Sequence, residues 1–211
     1  MILAGREEEV RLLAANCLAE CFVVLTSEPG LGATEILRSG LTPALLQAGS
    51  IPVYFNSWEG RGFPSELKEA VAQTVRDQAD DSFLAQGESL EELLRRVRRM
   101  TGRPVALLLD QFEDYLRFHS GTLSDDFDTE LANAVNSRSG QFAVALQEHS
   151  TVSFGRLANL IPNLLGYQLQ LKPLPVEAAR EMVRGLAGEE YVSIDEAVVE
   201  GFVNAPAVQI K

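Results

Sequence analysis

The sequence predicts an α/β fold in which a parallel sheet is sandwiched between layers of helices. Three observations predict it. Five short runs of strand length alternate with helical segments over the 211 residues. The first run, 21–26 (Cys-Phe-Val-Val-Leu-Thr), is unbroken and apolar, as in a strand covered on both faces. A glycine-bearing turn then leads it straight into a helix. Strands alternating with helices pair in parallel through right-handed crossovers.

The elements follow in order. Gly5 to Ala19 sets Val10, Leu12, Leu13 and Leu18 among charges, which is an amphipathic helix. The first strand is 21–26. Thr34 to Gln47 is helical, and Pro43 is expected to kink or end it. Pro52 to Asn56 is the second strand. Ser65 to Ala79 and Ser89 to Met100 are helices, the latter opening on Ser-Leu-Glu-Glu, a capping-box form with Ser89 and Glu92. Gly102-Arg103-Pro104 breaks the chain before the third strand, Val105 to Leu109, which ends in Asp110. Phe127 to Val135 is helical, with Ser124 and Asp125 as candidate caps. Gln141 to Leu146 is the fourth strand, and Tyr167 to Leu171 a weaker fifth. Helices are expected at Pro175 to Leu186 and Ile194 to Val203. The clearest internal boundary is Lys172-Pro173-Leu174-Pro175, giving a core of residues 1–172 and a helical remainder of 173–211.

Composition narrows the partners. Net charge is −12, and the pI is about 4.6. Such a surface repels nucleic acid and anionic membrane, both of which are bound through Lys and Arg neutralising phosphate. No apolar run reaches the ~18 residues of a membrane span. Arg6, Glu7, Glu8 and Glu9 at the start are unlike a secretory signal, so a cytoplasmic location is expected. Cys17 and Cys21 lack zinc-ligand spacing and read as a buried pair in a reducing compartment. His119 and His149 read as surface or helix-end residues.

The chemistry concentrates at residues 27–35. A phosphate-binding loop has the pattern G-x-x-x-x-G-K-[ST] between a strand and a helix. Here Ser27 stands at the first glycine, Gly32 at the second, Ala33 at the lysine and Thr34 at the hydroxyl residue. A helix N-terminus carries unpaired N–H groups and about half a positive charge, and glycine lets backbone approach an anion closely. Glu28, Pro29, Gly30, Leu31, Gly32, Ala33, Thr34 and Glu35 are therefore candidate nucleotide contacts. Thr34 and Asp110 are candidate Mg2+ ligands, Asp110 being the expected Walker B acid. Glu113 is placed to position an attacking water. Each feature also has a plain structural use: the glycines suit a tight turn, Thr34 an N-cap, and Asp110 to Asp114 an acidic helix start.

Several segments resemble the novel STAND NTPases, a branch of the AAA-related P-loop ATPases. They are Leu3-Ala4-Gly5-Arg6-Glu7-Glu8-Glu9, Ile36 to Leu41, Val53 to Trp58, Leu108 to Asp114, Ile161-Pro162-Asn163-Leu164-Leu165-Gly166 and Leu171 to Leu174. The resemblance implies a three-layer P-loop NTPase core with sheet order 5-1-4-3-2, followed by the start of a C-terminal helical lid. It implies ATP and Mg2+ at the carboxyl ends of the strands, with Arg6 near the adenine edge. The alternative for Arg6 is an exposed helix-start arginine paired with Glu9. Family members continue past the lid, so the chain is expected to be a fragment or short gene product, with protein partners or self-association mediated by the further regions. Two departures from the family pattern fall on cations: Ala33 for the loop lysine, and Gln147 where the family shows a sensor arginine. The leading expectation is a nucleotide-binding regulatory or signalling module with impaired hydrolysis. The alternatives are an ATPase using a substitute cation, from Arg38, Arg61 or a neighbouring subunit, and a nucleotide-free interaction domain. Trp58 and Phe63 are expected to wedge a loop against the core. The run Arg95, Arg96, Arg98 and Arg99 reads as a solvated helix face, or else a contact for an acidic partner.

Overall fold

The computed structural model describes residues 5–78, 83–85, 87–119 and 122–175. The expected helices beyond Pro175 lie outside these residues. The candidate caps Ser124 and Asp125 fall inside a helix whose first side chains are likewise not described.

Five strands form one sheet: β1 (Phe22–Ser27), β2 (Ile51–Phe55), β3 (Val105–Leu109), β4 (Gln141–Gln147) and β5 (Gln168–Gln170). Their order is β2-β3-β4-β1-β5 and every pairing is parallel. This is the order that the resemblance implied. All residues of β1 and β3 are buried, because helices cover both faces.

The two faces differ in character. One carries Val24, Val53, Phe55, Leu107, Leu109, Phe142 and Val144, and packs against α4 (Phe63–Gln78), α5 (Leu90–Thr101), α6 (Phe112–Phe118) and α7 (Thr122–Asn136). The other carries Val23, Leu25, Ala106, Leu108, Ala143 and Ala145. Three of those six are alanine, so α1 (Glu7–Glu20) and the helix after β1 can lie close. They do so through Leu13, Cys17, Ile36, Leu37, Leu41 and Leu45. The alternation follows from the two-residue period of a strand. Cys17 and Cys21 are free thiols, Cys17 buried and Cys21 half-buried, and burial pushes the Cys17 thiol up to about 12.

The helix after β1 is not a simple α-helix. It starts as α2 (Ala33–Glu35), widens into a π-helical stretch over Ile36–Leu41 and resumes as α3 (Thr42–Gln47). Pro43 supplies the cause. It has no N–H to donate and its ring collides with the carbonyl four residues back, so the helix gains a residue per turn rather than ending. The Thr42 N–H reaches Leu37 O, five residues back, and the Thr42 hydroxyl donates to the same oxygen at 2.9 Å. Ser89 and Glu92 form the expected capping box.

Trp58, 1% exposed, and Phe63 are core residues. Trp58 meets Phe55 at 4.9 Å, Phe112 at 5.2 Å and Tyr115 at 5.6 Å between ring centroids. His119 belongs to the same cluster: it ends α6 as expected, but it is buried rather than at the surface, with Nε2 2.5 Å from Trp58 O. The sequence did not show the short helical turns between β4 and β5: 3-10 turns at Glu148–Ser150 and Gly155–Asn159, and α8 (Thr151–Phe154).

Gly140 marks where β4 enters the core. A Cβ there would sit 3.0 Å from Val105 O and 3.1 Å from Leu94 Cδ1. Gly140→Ala is expected to lower stability by about 1–3 kcal/mol, the usual penalty for overpacking. Urea unfolding checks this through a lower midpoint at an unchanged slope.

Candidate functional site

The carboxyl ends of β1, β3 and β4 open onto a cleft of about 330 Å³. It is lined by every residue from Ser27 to Thr34, by Asp110, Gln111 and Glu113 after β3, and by Ala145, Leu146 and Gln147 at the end of β4. The fold thus brings together the loop and the acidic strand end, about 80 residues apart in sequence. Open α/β sheets hold ligands in such crevices.

Gly30 and Gly32 take φ of 84° and 87°, left-handed values that suit glycine. Their N–H groups have no acceptor among the described residues. Ala33 and Thr34 follow in the first helical turn, where N–H groups have no partner inside the helix. The amides of Gly30, Gly32, Ala33 and Thr34 are therefore donors available at the positive end of a helix, while the Leu31 N–H donates to Glu28 O at 3.4 Å. The Thr34 side chain lines the cleft and no hydrogen bond engages its hydroxyl among the described residues. Ala33 contributes only a methyl.

Asp110 is 2% exposed and firmly placed. Its Oδ2 accepts from the Tyr54 hydroxyl at 2.7 Å and its Oδ1 from the Gln111 amide at 2.9 Å. Its carbonyl accepts from Trp58 Nε1 at 2.7 Å. Gln111 takes φ of 51° to turn the chain from β3 into α6. Burial, and then the bond to Asp110, push the Tyr54 hydroxyl well above the usual tyrosine value, so it stays a donor. Arg38 lies 5.2 Å from the Tyr54 ring centroid.

Glu113 Oε2 accepts the Gln147 amide at 3.2 Å, tying α6 to the end of β4. Burial raises the Glu113 carboxyl above its ordinary value, against the lowering effect of bonds from its own backbone and from Gln147.

Two sequence candidates lie apart from the cleft lining. Glu35 accepts from Ser39 one turn along the helix. Arg6 is 4% exposed rather than an exposed helix-start residue. It does pair with Glu9, at 2.9 Å, and its other nitrogen donates to Leu31 O at 3.3 Å. Arg6 therefore braces the loop through Leu31. Arg61 lines a separate cleft with Phe63 and His119. Sequence reasoning missed Tyr54 as the partner of Asp110. The register that aligns Tyr54 with Leu108 was hidden until the strands were paired.

The donor set suits a metal-bound phosphate. A hydroxyl and a carboxylate are hard oxygen ligands of the kind Mg2+ takes, and the loop amides face the same space. Among the described residues the lining lacks cationic charge: none of them is Lys or Arg.

This fold and cleft define a P-loop NTPase architecture. The family model for novel STAND NTPase 1 matches residues 2–209, and the chain belongs to that family. Similar solved structures share the fold. A Walker-type ATPase of Pyrococcus abyssi matches at 17% identity and TM-score 0.66, covering 94% of this chain and 62% of its own. The ORC2 protein of Aeropyrum pernix in its ADP form matches at 12% and 0.61, with coverages of 89% and 53%. ORC1 of the same organism, in complex with DNA, matches at 21% and 0.57, covering 89% and 50%. The chain thus spans half to three fifths of these neighbours. No curated protein matches it.

Glu113 yields a pH prediction. A carboxyl whose folded pKa is raised holds its proton more tightly in the folded state, so the stability it confers is full below the ordinary value of 4.5 and is lost as pH rises through the folded value. Glu113→Gln keeps an oxygen for the Gln147 amide and removes the half-buried charge. The variant should melt above the wild type at pH 7–8, with the gap closing as pH falls below about 4.5. Scanning calorimetry across that range checks it.

Proposed function

We propose that this chain is a nucleotide-binding regulatory module of the STAND type, one that holds MgATP through backbone amides, Thr34 and Asp110 and hydrolyses it poorly. One observation carries the reading: a cleft with the loop amides and acidic strand end of a phosphate site has no basic side chain in its lining among the described residues, and the Ala33 methyl stands at the lysine position. In this reading Gly30 to Thr34 hold the phosphates, Thr34 and Asp110 hold Mg2+, and Glu113 orients water. Glu28, Pro29 and Glu35 flank the loop, and Arg6 sets its shape. The core spans 1–172 and the lid begins at 173.

Magnitudes support weak hydrolysis. At ~4 Å and an effective dielectric of about 20, a lysine contributes on the order of 4 kcal/mol to a unit negative charge. ATP offers roughly four such charges, and phosphoryl transfer relies on cations to neutralise the charge that develops. Glu28, Asp110 and Glu113 push the other way. A role in signalling through nucleotide-dependent assembly, in the cytoplasm, fits the family. Among the described residues no helix is long and apolar enough to cross a membrane. The ORC1 neighbour is a complex with DNA, but a net charge of −12 opposes duplex binding here.

A second reading, an ATPase with a substitute cation, rests on Arg38. Its exposed side chain lies over Tyr54, whose hydroxyl holds Asp110.

Thermal shift with MgATP separates the readings. Ligand at a hundred times its Kd raises stability by about 2.7 kcal/mol. The proposal expects a shift with negligible phosphate release, and Ala33→Lys with Gln147→Arg should tighten ATP by about 10- to 1000-fold. Turnover abolished by both Asp110→Asn and Arg38→Ala would establish the second reading. No shift at millimolar MgATP would leave a nucleotide-free interaction domain.

A further inference from the structure

The opposite edge of the sheet holds a second polar cleft. It lies where α5 ends before β3 and where α7 turns into β4, on the side where those strands begin. Its volume is about 380 Å³, and its lining is Arg95, Arg98, Arg99, Ser137, Arg138 and Ser139. Arg95, Arg98 and Arg99 fall at i, i+3 and i+4, so the helical period puts them on one face. Arg138 approaches from the other side, in a turn where it takes φ of 51°. Arg96, from the same run, is used elsewhere: it pairs with Glu88 and covers the Phe83 ring at 4.2 Å.

Acidic residues outnumber basic ones 30 to 18 in the chain, and among the described residues two carboxylates answer these four guanidinium groups. Glu91 pairs with Arg95 at 2.8 Å, and Glu20 lies 3.8 Å from Arg138. Arg98 and Arg99 are exposed and have no carboxylate partner among the described residues. The negative end of α5 favours cations in its last turn, which accounts for Arg98 and Arg99 singly. It does not account for Arg138, which comes from another element. Arg138 spends one nitrogen on the carbonyls of Ala19 and Glu20, both at 3.3 Å, and a guanidinium carries further N–H donors.

We propose that this cleft is a second anion site, separate from the phosphate loop, that takes a compact ligand bearing two or more phosphate groups. Guanidinium forks match phosphate oxygens in pairs. A concave site framed by four of them suits clustered phosphates better than single carboxylates spaced along a chain. The strongly negative remainder of the surface confines the attraction to this cleft. This inference stands independently of the nucleotide reading.

The test is calorimetric titration of the full chain, without Mg2+ so that the metal-dependent role of Thr34 is silent, with tripolyphosphate, a probe without base or sugar. Wild type should bind, and Arg98→Ala/Arg99→Ala should weaken binding at least tenfold. Thr34→Ala, in the other cleft, should leave this binding unchanged. Arg98→Lys/Arg99→Lys keeps charge but loses the fork, and should fall between. Unchanged melting temperatures show that the variants fold. Three results would overturn the proposal: no binding by wild type, binding lost in Thr34→Ala but kept in the double alanine variant, or tighter binding of a hexaglutamate peptide than of tripolyphosphate.

Discussion

The three inner strands are covered on both faces, and nearly every side chain along them is apolar and buried. Polar chemistry can therefore emerge only at their ends. Parallel pairing sends the three carboxyl ends to one edge, and the order β3-β4-β1 places the loop after β1 one strand away from the acid after β3. The cleft follows from that arrangement. Its walls are held by the core: Trp58, fixed among Phe55, Phe112 and Tyr115, donates to the Asp110 carbonyl, while Tyr54 on the next strand holds the carboxylate. Asp110 is thus set before any ligand arrives.

Phosphate recognition in such a cleft has two components: fixed dipoles and mobile charge. The dipoles are present in the amides of Gly30 to Thr34 and the helix they open. The mobile charge is not, since among the described residues the lining carries acids and no Lys or Arg. Dipoles favour an anion by a few tenths of a kcal/mol to about 2 kcal/mol, whereas a well-placed lysine contributes on the order of 4. In this account the metal becomes the main positive charge. The arginines are spent elsewhere: Arg6 behind the loop, Arg38 over Tyr54, and four more at the far edge of the sheet.

Much of this was legible in the sequence, for identifiable reasons. β3 is bounded by Pro104 and Asp110, so its extent could be read residue by residue. Ser89 and Glu92 carry a local signal, and local geometry realises it. The loop could be found because glycine pattern and strand-to-helix order coincide within a dozen residues. What stayed hidden depends on pairing at a distance. The Tyr54–Asp110 bond needs the β2–β3 register, the burial of Arg6 needs the loop folded over it, and the grouping of Arg138 with Arg98 needs α5 packed on α7. The π-helical stretch was half visible: Pro43 signalled a disturbance, but whether the helix would end or widen was settled by the tertiary burial of Leu37, Leu41 and Leu45.

The central claim is that the cleft grips nucleotide without a cation aimed at the terminal phosphate. Calorimetric titration with MgATP and with MgADP tests it most directly. Without the lysine, the γ-phosphate adds little, and the two Kd values should agree within a few-fold. ATP binding tighter than ADP by a hundredfold or more, about 2.7 kcal/mol, would mean that a positive group reaches the γ-phosphate after all, and would contradict the account.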